Sequence, residues 1–414
     1  MEYGCIGEHL GHSFSAEIHH ALSEHPYLIR EVSRGELDAF MKARDFRGIN
    51  VTIPYKEDVI PHLFFMSEQA RAIGAVNTIV NREGLLYGYN TDFFGMSDLI
   101  RRTGIDPRGK KVAILGTGGT SRTAVAVAFA MGAREVLRVS RSAREGAITY
   151  DALASLHTDT QIIINTTPCG MYPSAGPMPV DVSLFPSLEG VVDAIYNPLR
   201  PQLILEARKR GIAASGGLYM LVAQAVRASE IFLDCSYTEE TVESVYKKIL
   251  RQKENVVLTG MPSSGKSTVG RVLAARLGRE LLDLDDEIVK AAGKPIPEIF
   301  SQDGEASFRA LETQVLRDAL SQRNGIVLST GGGAILKDEN VDLLRRNGRL
   351  YFLDRPLSML LPTSDRPLSS TVDAVKRRFE ERYDRYLLTA DARIDGAGTP
   401  EEVADLIAKD FEQL

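Results

Sequence analysis

The sequence predicts an α/β protein with more than one domain, and three observations carry that prediction. The chain has 414 residues and is 44% hydrophobic, too long for one ordinary core. Apolar strand-like runs alternate with helical patterns along its whole length. Two of those runs lead into glycine-rich loops of different pattern, so two nucleotide sites are expected. Charged residues make up 25% and the net charge is -6. That balance gives no basic face for nucleic acid. Cys5, Cys169 and Cys235 are far apart and form no C-x-x-C pair, which argues against a disulfide framework or a zinc site. No charged start leads into an apolar stretch, and no apolar run approaches the roughly 18 residues of a membrane span. The expectation is a cytoplasmic protein with no signal peptide. Oligomeric state is left open.

From the N-terminus, His12-Ser-Phe-Ser15 carries two hydroxyls at period-2 spacing, able to bind one carboxylate. Asn50-Val-Thr-Ile-Pro-Tyr-Lys56 places a lysine just after a strand and a proline. Ala75-Val-Asn-Thr78 and Tyr89-Asn-Thr-Asp92 add amides and a carboxylate. A Lys–Asp pair beside bound substrate is a proton donor and relay for a developing alkoxide. Singly, each of these has a bland reading: Ser13 and Ser15 as a helix cap, Lys56 as a surface charge, Asp92 as the cap of a helix starting near Phe93. It is their order along the chain that points to a site.

Lys111-Val-Ala-Ile-Leu115 leads into Gly116-x-Gly118-Gly119-x-Ser121 and a helix rich in Ala and Val, a dinucleotide-loop pattern in its expected context. Some 25 residues on, where an NAD site usually has an acid, the strand Glu135–Val139 ends in Ser140-Arg141-Ser142, with Arg144 close by. A cationic, hydroxyl-rich strand end suits a 2′-phosphate and favours NADP over NAD.

The polar stretch Arg251–Glu254 reads as the domain boundary, between a helical pattern ending near Leu250 and a strand starting at Asn255. That strand leads into Gly260-Met-Pro-Ser-Ser-Gly-Lys-Ser-Thr268, a full G-x-x-x-x-G-K-[ST] match. Backbone N–H groups of such a loop cradle phosphates, Lys266 reaches the β/γ-phosphates, and the Ser267 hydroxyl can ligate Mg²⁺. In Leu281-Leu-Asp-Leu-Asp-Asp286, Asp283 and Asp285 stand at strand spacing on one face. One carboxylate can organise Mg²⁺ and the other can accept a hydroxyl proton. Arg309, Gly331 to Gly333, Arg366-Pro-Leu368 and Arg382 follow.

The first set of motifs resembles the shikimate dehydrogenase family over about residues 1–250, with further matches in Asn165–Met171, Asp193–Pro198 and Gly216–Gln224. The resemblance implies a substrate domain interrupted by a Rossmann-like NADP domain. Ser13, Ser15, Asn50, Thr52, Asn77, Asp92 and Gln224 would bind substrate, with Lys56 and Asp92 as the catalytic pair. Gly116, Gly118, Gly119, Ser140, Arg141 and Ser142 would hold NADP(H), with Tyr196, Gly217 and Met220 near the nicotinamide. Departures are Ala16 for a common Pro, Ser140 for Asn, and Tyr219 for Gly; Tyr219 is expected beside the cofactor pocket.

Asn255 to Leu414 resembles the shikimate kinase family, which implies a P-loop, NMP-kinase-like α/β fold. ATP would lie on Gly260, Gly265, Lys266, Ser267 and Thr268, with Arg366 reaching it from a lid and Mg²⁺ near Ser267 and Asp283. Asp285, Arg309, Gly332 and Arg382 would hold shikimate, Asp285 being the base. Guanidinium groups suit a carboxylate substrate, and phosphoryl transfer needs positioning and charge neutralisation more than covalent help. Here Ser263 replaces a common Gly, and Asp384-Arg385-Tyr386 replaces Pro-Leu-Tyr, so Arg385 is expected to share the role of Arg382.

The domains expected are residues 1–95 for substrate, 96–215 for the dinucleotide, 216–250 as helices returning to the first, and 255–414 for the kinase. The implied function is NADPH-dependent reduction of 3-dehydroshikimate to shikimate, followed by ATP/Mg-dependent phosphorylation. The alternatives are a quinate-active dehydrogenase with a weak kinase and a catalytically silent metabolite sensor. A sensor is expected to have lost Lys56, Asp92, Lys266 or Asp285, and all four are present.

Overall fold

A computed structural model describes residues 2–8, 10, 14–174, 176–361 and 371–413. The chain packs as two compact units, Met1–Met171 with Gly176–Ile249, and Tyr172–Ala175 with Leu250–Leu414.

In the first unit, β1 (Tyr3–Gly7), β2 (Tyr27–Glu31), β3 (Gly48–Val51), β4 (Phe65–Met66), β5 (Thr78–Arg82) and β6 (Leu85–Tyr89) form a mixed sheet in the order β2-β1-β3-β5-β6-β4. The pairs β1–β2 and β1–β3 are parallel, while β3–β5 and β5–β6 are antiparallel. The hairpin between β5 and β6 turns at Glu83-Gly84, both at positive φ, as a tight two-residue connection requires. Register aligns Asn50 of β3 with Thr78 of β5, so polar side chains from distant segments meet at one end of the sheet.

The second sheet of this unit is wholly parallel: β7 (Lys111–Leu115), β8 (Glu135–Ser140), β9 (Ile148–Thr149), β10 (Ile162–Asn165), β11 (Gly190–Asp193) and β12 (Ala213–Ser215), in the order β12-β11-β10-β7-β8-β9. Apolar clusters cover both of its faces, which is why β7 and β10 read as unbroken hydrophobic runs. This is the Rossmann order, and its ligand crevice opens at the carboxyl ends of β7 and β10, where the strand sequence reverses. The helix Leu218–Leu233 then packs against Ser15–Leu22 and Asp92–Arg102. Phe232 joins Tyr3, Cys5 and Tyr27 in a small core.

The second unit carries β13 (Asn255–Thr259), β14 (Leu281–Asp283), β15 (Val327–Ser329), β16 (Gly348–Asp354) and β17 (Ala392–Asp395) in the all-parallel order β14-β15-β13-β16-β17. Helices cover both faces. The glycine loop of this unit leaves the central strand β13.

Two local expectations are corrected. The helical pattern does not end near Leu250: the helix Glu239–Lys253 runs on through Arg251–Lys253 and stops one residue before β13. Its carboxyl end is held by the Arg279 guanidinium, which donates to the carbonyls of Arg251 and Glu254. Such a bond satisfies terminal helix carbonyls and leaves no need for a loop. Asp285 does not continue β14. The strand ends at Asp283, whose carboxylate caps the helix Leu284–Ala292 by accepting from the Asp285 N–H at 3.1 Å, so Asp285 lies in the first helical turn. Among the described residues no helix is long and apolar enough to cross a membrane.

Candidate active sites

Lys56 lies on the loop after β3, its carbonyl fixed by the Val76 N–H at 2.8 Å. Asp92 is the first residue of the helix Asp92–Arg102, where the helix dipole favours a carboxylate. Lys56 Nζ meets Asp92 Oδ2 at 2.5 Å, and the two side chains are only 18% and 12% exposed. The distance is that of a charge-assisted hydrogen bond. Gly95 has no room for a Cβ, which would fall 2.6 Å from the Met220 carbonyl. This close approach of the helix Leu218–Leu233 brings Gln224 Oε1 within 3.4 Å of Thr91 Oγ1. Thr52 and Ser15 are half-buried, and Ser13 lies outside the described residues. The Asn50 amide is committed within the protein: Oδ1 accepts from Tyr27 Oη at 2.7 Å, and Nδ2 donates to Thr78 Oγ1 and the Asn77 carbonyl.

In the dinucleotide half, Gly116 turns at φ 110°, and a Cβ there would sit 2.8 Å from Thr166 Oγ1. Ser121 Oγ donates to the Gly116 carbonyl at 2.7 Å and ties the loop to its helix. Around Gly118 and Gly119 a Cβ would meet no described atom within 4 Å. The helix Gly119–Ala130 therefore opens onto free space at its amino end, as a phosphate site requires. Ser140 is buried at the end of β8, with Arg141 and Ser142 exposed beyond it. Arg144 donates to Thr117 Oγ1 at 2.9 Å and Arg138 to the Thr117 carbonyl at 3.4 Å. Two guanidinium groups thus converge on the loop tip. Arg138 escaped the sequence reading, although it stands at period-2 spacing from Ser140 on one strand.

Tyr196 packs edge-on against Phe14 at 5.1 Å. Gly217 donates to the Ile195 carbonyl at 2.7 Å, and a Cβ on it would clash with the Ala194 carbonyl at 2.3 Å. Met220 is buried. Asp193, fully buried, takes hydrogen bonds from Asn165 Nδ2 at 3.0 Å and the Ile195 N–H at 2.9 Å. Burial pushes its carboxyl up to about 7 against those bonds. The pair fixes the backbone that presents Tyr196. Both residues stood in motifs of the sequence, but nothing local signalled that they touch. The Tyr219 ring packs on the Arg102 guanidinium at 4.7 Å and edge-on to Tyr246 at 5.3 Å, joining three helices. The cation–π contact and aromatic edge account for its side-chain direction.

In the second unit, the P-loop turns at Gly260, Ser263 and Gly265, with φ of 153°, 64° and 91°. Ser263 thus occupies the left-handed conformation that a glycine takes at lower cost. Lys266 Nζ lies across its own loop, donating to the Gly260 and Met261 carbonyls at 3.0 Å each. Ser267 Oγ donates to Asp283 Oδ2 at 2.6 Å. A hydroxyl and a carboxylate are the hard oxygen donors that Mg²⁺ takes. Thr268 is exposed on the first helical turn.

Asp283 and Asp285 line a cleft of about 470 Å³ with Arg309, Glu312, Gly331 to Gly333 and Arg382. Arg309 pairs with Glu312 at 2.8 Å. Burial, more than the nearby Asp285, raises the Glu312 carboxyl above its ordinary value, and Arg309 opposes this. Arg382, 5% exposed, donates to the Gly332 carbonyl at 3.1 Å. Tyr386 Oη donates to the Gly260 carbonyl at 2.8 Å and also meets the Gly332 carbonyl, bridging the P-loop and the glycine triplet. Glu312 and Tyr386 were not anticipated as site residues. The i,i+3 spacing from Arg309 is a signal for the first, and Tyr386 has none. Arg385 does not line this cleft: its guanidinium is engaged by the Ile335 carbonyl and Asp338. Arg366 lies outside the described residues. On the other side of the P-loop, a cavity of about 340 Å³ is lined by Gly265, Thr268, Arg355 and Gly396 to Pro400.

A model of the shikimate dehydrogenase substrate binding domain matches residues 5–79, and a shikimate kinase model matches residues 262–412. The chain is 34% identical over 265 residues to a shikimate dehydrogenase (NADP(+)) of Clostridium perfringens, covering 60% of this chain and 97% of the relative. A chorismate mutase/shikimate 5-dehydrogenase fusion protein from Clostridium acetobutylicum superposes with TM-score 0.57 at 36% identity, covering 60% of this chain and 96% of that one. Shikimate 5-dehydrogenase from Thermus thermophilus, solved with NADP(H) and shikimate, superposes with TM-score 0.54 at 28% identity over 60% and 99% of the two chains.

Proposed function

We propose a two-step reading for this chain, which belongs to the shikimate dehydrogenase family and carries a shikimate-kinase-like domain after it. It is a bifunctional enzyme of the shikimate pathway. The first unit reduces 3-dehydroshikimate with NADPH, and the second phosphorylates the resulting shikimate with ATP·Mg²⁺. The Lys56–Asp92 pair at 2.5 Å carries the dehydrogenase reading. As the substrate carbonyl carbon takes up hydride, its oxygen gains negative charge. Lys56 Nζ gives a proton to that oxygen, closing the alcohol, and Asp92 holds the lysine in line. NADP(H), when bound, supplies or removes the hydride. Gly116, Gly118 and Gly119 leave its phosphates room, Ser140, Arg141 and Ser142 face the 2′-phosphate, and Tyr196, Gly217 and Met220 bound the nicotinamide end.

In the second unit, Arg309 and Arg382 take the substrate carboxylate and Asp285 accepts the hydroxyl proton as the oxygen attacks phosphorus. Lys266 would turn from its loop carbonyls to the phosphates, and Ser267 with Asp283 would hold Mg²⁺, whose charge would offset that of the transferring group. The cleft that gathers Asp283, Asp285, Arg309 and Arg382 beside the P-loop supports this reading. Three cysteines with no disulfide among them suit a reducing compartment, and we place the protein in the cytoplasm.

The test is a mass spectrum of products after incubating the purified chain with 3-dehydroshikimate, NADPH, ATP and Mg²⁺. Shikimate 3-phosphate is expected. Shikimate alone refutes the kinase half, and unchanged 3-dehydroshikimate refutes the dehydrogenase half.

A further inference from the structure

The polar groups beside Lys56 and Asp92 form a hydrogen-bond chain whose direction can be worked out bond by bond. Two backbone groups fix it. Asn50 Nδ2 faces the Asn77 carbonyl at 3.3 Å, which only accepts, so this end of the Asn50 amide is the donor. The Thr91 N–H faces Asn77 Oδ1 at 2.7 Å and only donates, so that end of the Asn77 amide is the acceptor. The rest follows. Tyr27 Oη donates to Asn50 Oδ1 at 2.7 Å. Asn50 Nδ2 donates to Thr78 Oγ1 at 3.1 Å, which leaves the Thr78 proton to point onward to Asn77 Oδ1 at 3.1 Å. Asn77 Nδ2 donates to Thr91 Oγ1 at 3.0 Å. Thr91 Oγ1 lies 3.2 Å from Thr78 Oγ1, and its single proton has Asn77 Oδ1 at 3.2 Å and Gln224 Oε1 at 3.4 Å within reach, while Gln224 Nε2 is tied to the Leu221 carbonyl at 2.8 Å.

The links Asn50, Asn77, Thr78 and Thr91 are all buried, where such chains polarise and order one another. At the head of the chain, the Tyr27 ring is buried and stacked on His19, 3.9 Å away with planes 7° apart. His19 is itself buried, and burial lowers its pKa to about 3, so a neutral ring backs the phenol.

We infer that Tyr27 is a positioning residue of the dehydrogenase site: its phenol anchors the Asn50 amide and, through Thr78, the Asn77 amide, which together with Gln224 has N–H groups, not carbonyls, to offer the substrate. Each of those amides keeps one N–H that no described residue takes. The substrate atoms they meet are therefore acceptor oxygens, a carbonyl or hydroxyl lone pair. Tyr27 lies 29 residues before Lys56 and acts through Asn50. The inference rests on the proposed dehydrogenase activity.

The experiment uses the full chain and follows NADP⁺ reduction with shikimate as variable substrate. Tyr27→Phe removes one oxygen and keeps the stacked ring. The expected result is a rise of roughly three- to tenfold in the KM for shikimate, the size of one lost hydrogen bond. The kcat should stay within about twofold, the KM for NADP⁺ should be unchanged, and kinase turnover in the same preparation should be unaffected. Thr78→Val cuts the same chain one link on. If the two act through one path, the double variant is no worse than the worse single one. An unchanged KM in Tyr27→Phe, additive losses in the double variant, or a fall in kcat at constant KM would each overturn the inference. A wild-type chain that does not oxidise shikimate would instead overturn the functional reading beneath it.

Discussion

Replacing Gly333 with alanine tests the carboxylate-binding role of Arg309 with little risk to the fold. A Cβ on Gly333 would lie 2.3 and 2.4 Å from the two terminal nitrogens of Arg309 and 2.6 Å from its central carbon. Real contacts need more than 3 Å, so the guanidinium has to move by about an ångström. It is the free end of a long side chain and can move by bond rotation, which limits the cost to the fold to about 1 kcal/mol. The geometry of its pairing with Glu312 at 2.8 Å is lost, and so is its alignment with a bound carboxylate. A charge-assisted hydrogen bond is worth about 1.5–3 kcal/mol, and 1.4 kcal/mol is a factor of ten. The KM for shikimate in the kinase reaction should therefore rise roughly 10- to 150-fold, with a melting temperature within a few degrees of wild type. Steady-state phosphorylation kinetics and calorimetry on one preparation decide it, with the dehydrogenase rate as internal control. A KM for shikimate within twofold of wild type would refute the placement of the substrate carboxylate on Arg309.

Further outcomes are expected from the same geometry. Lys56→Ala should lower NADPH-dependent turnover by about 10²- to 10⁴-fold, the usual yield of a positioned proton donor, while kinase turnover persists; a dehydrogenase rate near wild type would remove Lys56 from the mechanism. Tyr386→Phe removes the donor shared by the Gly260 and Gly332 carbonyls and should destabilise the second unit by about 1–2 kcal/mol, read as a shift in its denaturant midpoint, with a weaker KM for ATP. The buried His19 is held neutral, its pKa lowered to about 3 from about 6.5 in the unfolded chain. Its contribution is present above pH 6.5 and is lost as pH falls toward 3, since the unfolded chain takes up a proton that the folded one refuses. Relative to His19→Phe, the wild-type first unit should lose up to about 1.4 kcal/mol per pH unit below 6.5; urea midpoints at pH 5, 6 and 7 that run parallel for the two proteins would rule this out.

The two nucleotide loops, the Lys56–Asp92 pair and the sheets that carry them were legible in the sequence, because each is written within a short stretch. A strand, a glycine turn and a helix start are neighbours along the chain, and the need for positive φ or for an open helix end selects residue types at fixed offsets. Asp92 could be matched to Lys56 only through the order of motifs, since nothing local says that a loop and a helix start 36 residues apart will meet at 2.5 Å. What the tertiary structure alone decided lies where the chain changes period or partner. Asp285 shifted from strand to helix because the Asp283 carboxylate captures its N–H, ending the two-residue alternation one position early. Arg385 is drawn to the Ile335 carbonyl and Asp338, away from the cleft that Arg382 lines. Tyr219 took a guanidinium and a second ring as its partners. Tyr386 reaches a carbonyl 126 residues away, and Tyr27 directs an amide chain ending on a helix some two hundred residues on. Local chemistry constrains a residue's type and backbone; sheet order and helix packing choose what its side chain touches, and those choices made the residues into sites.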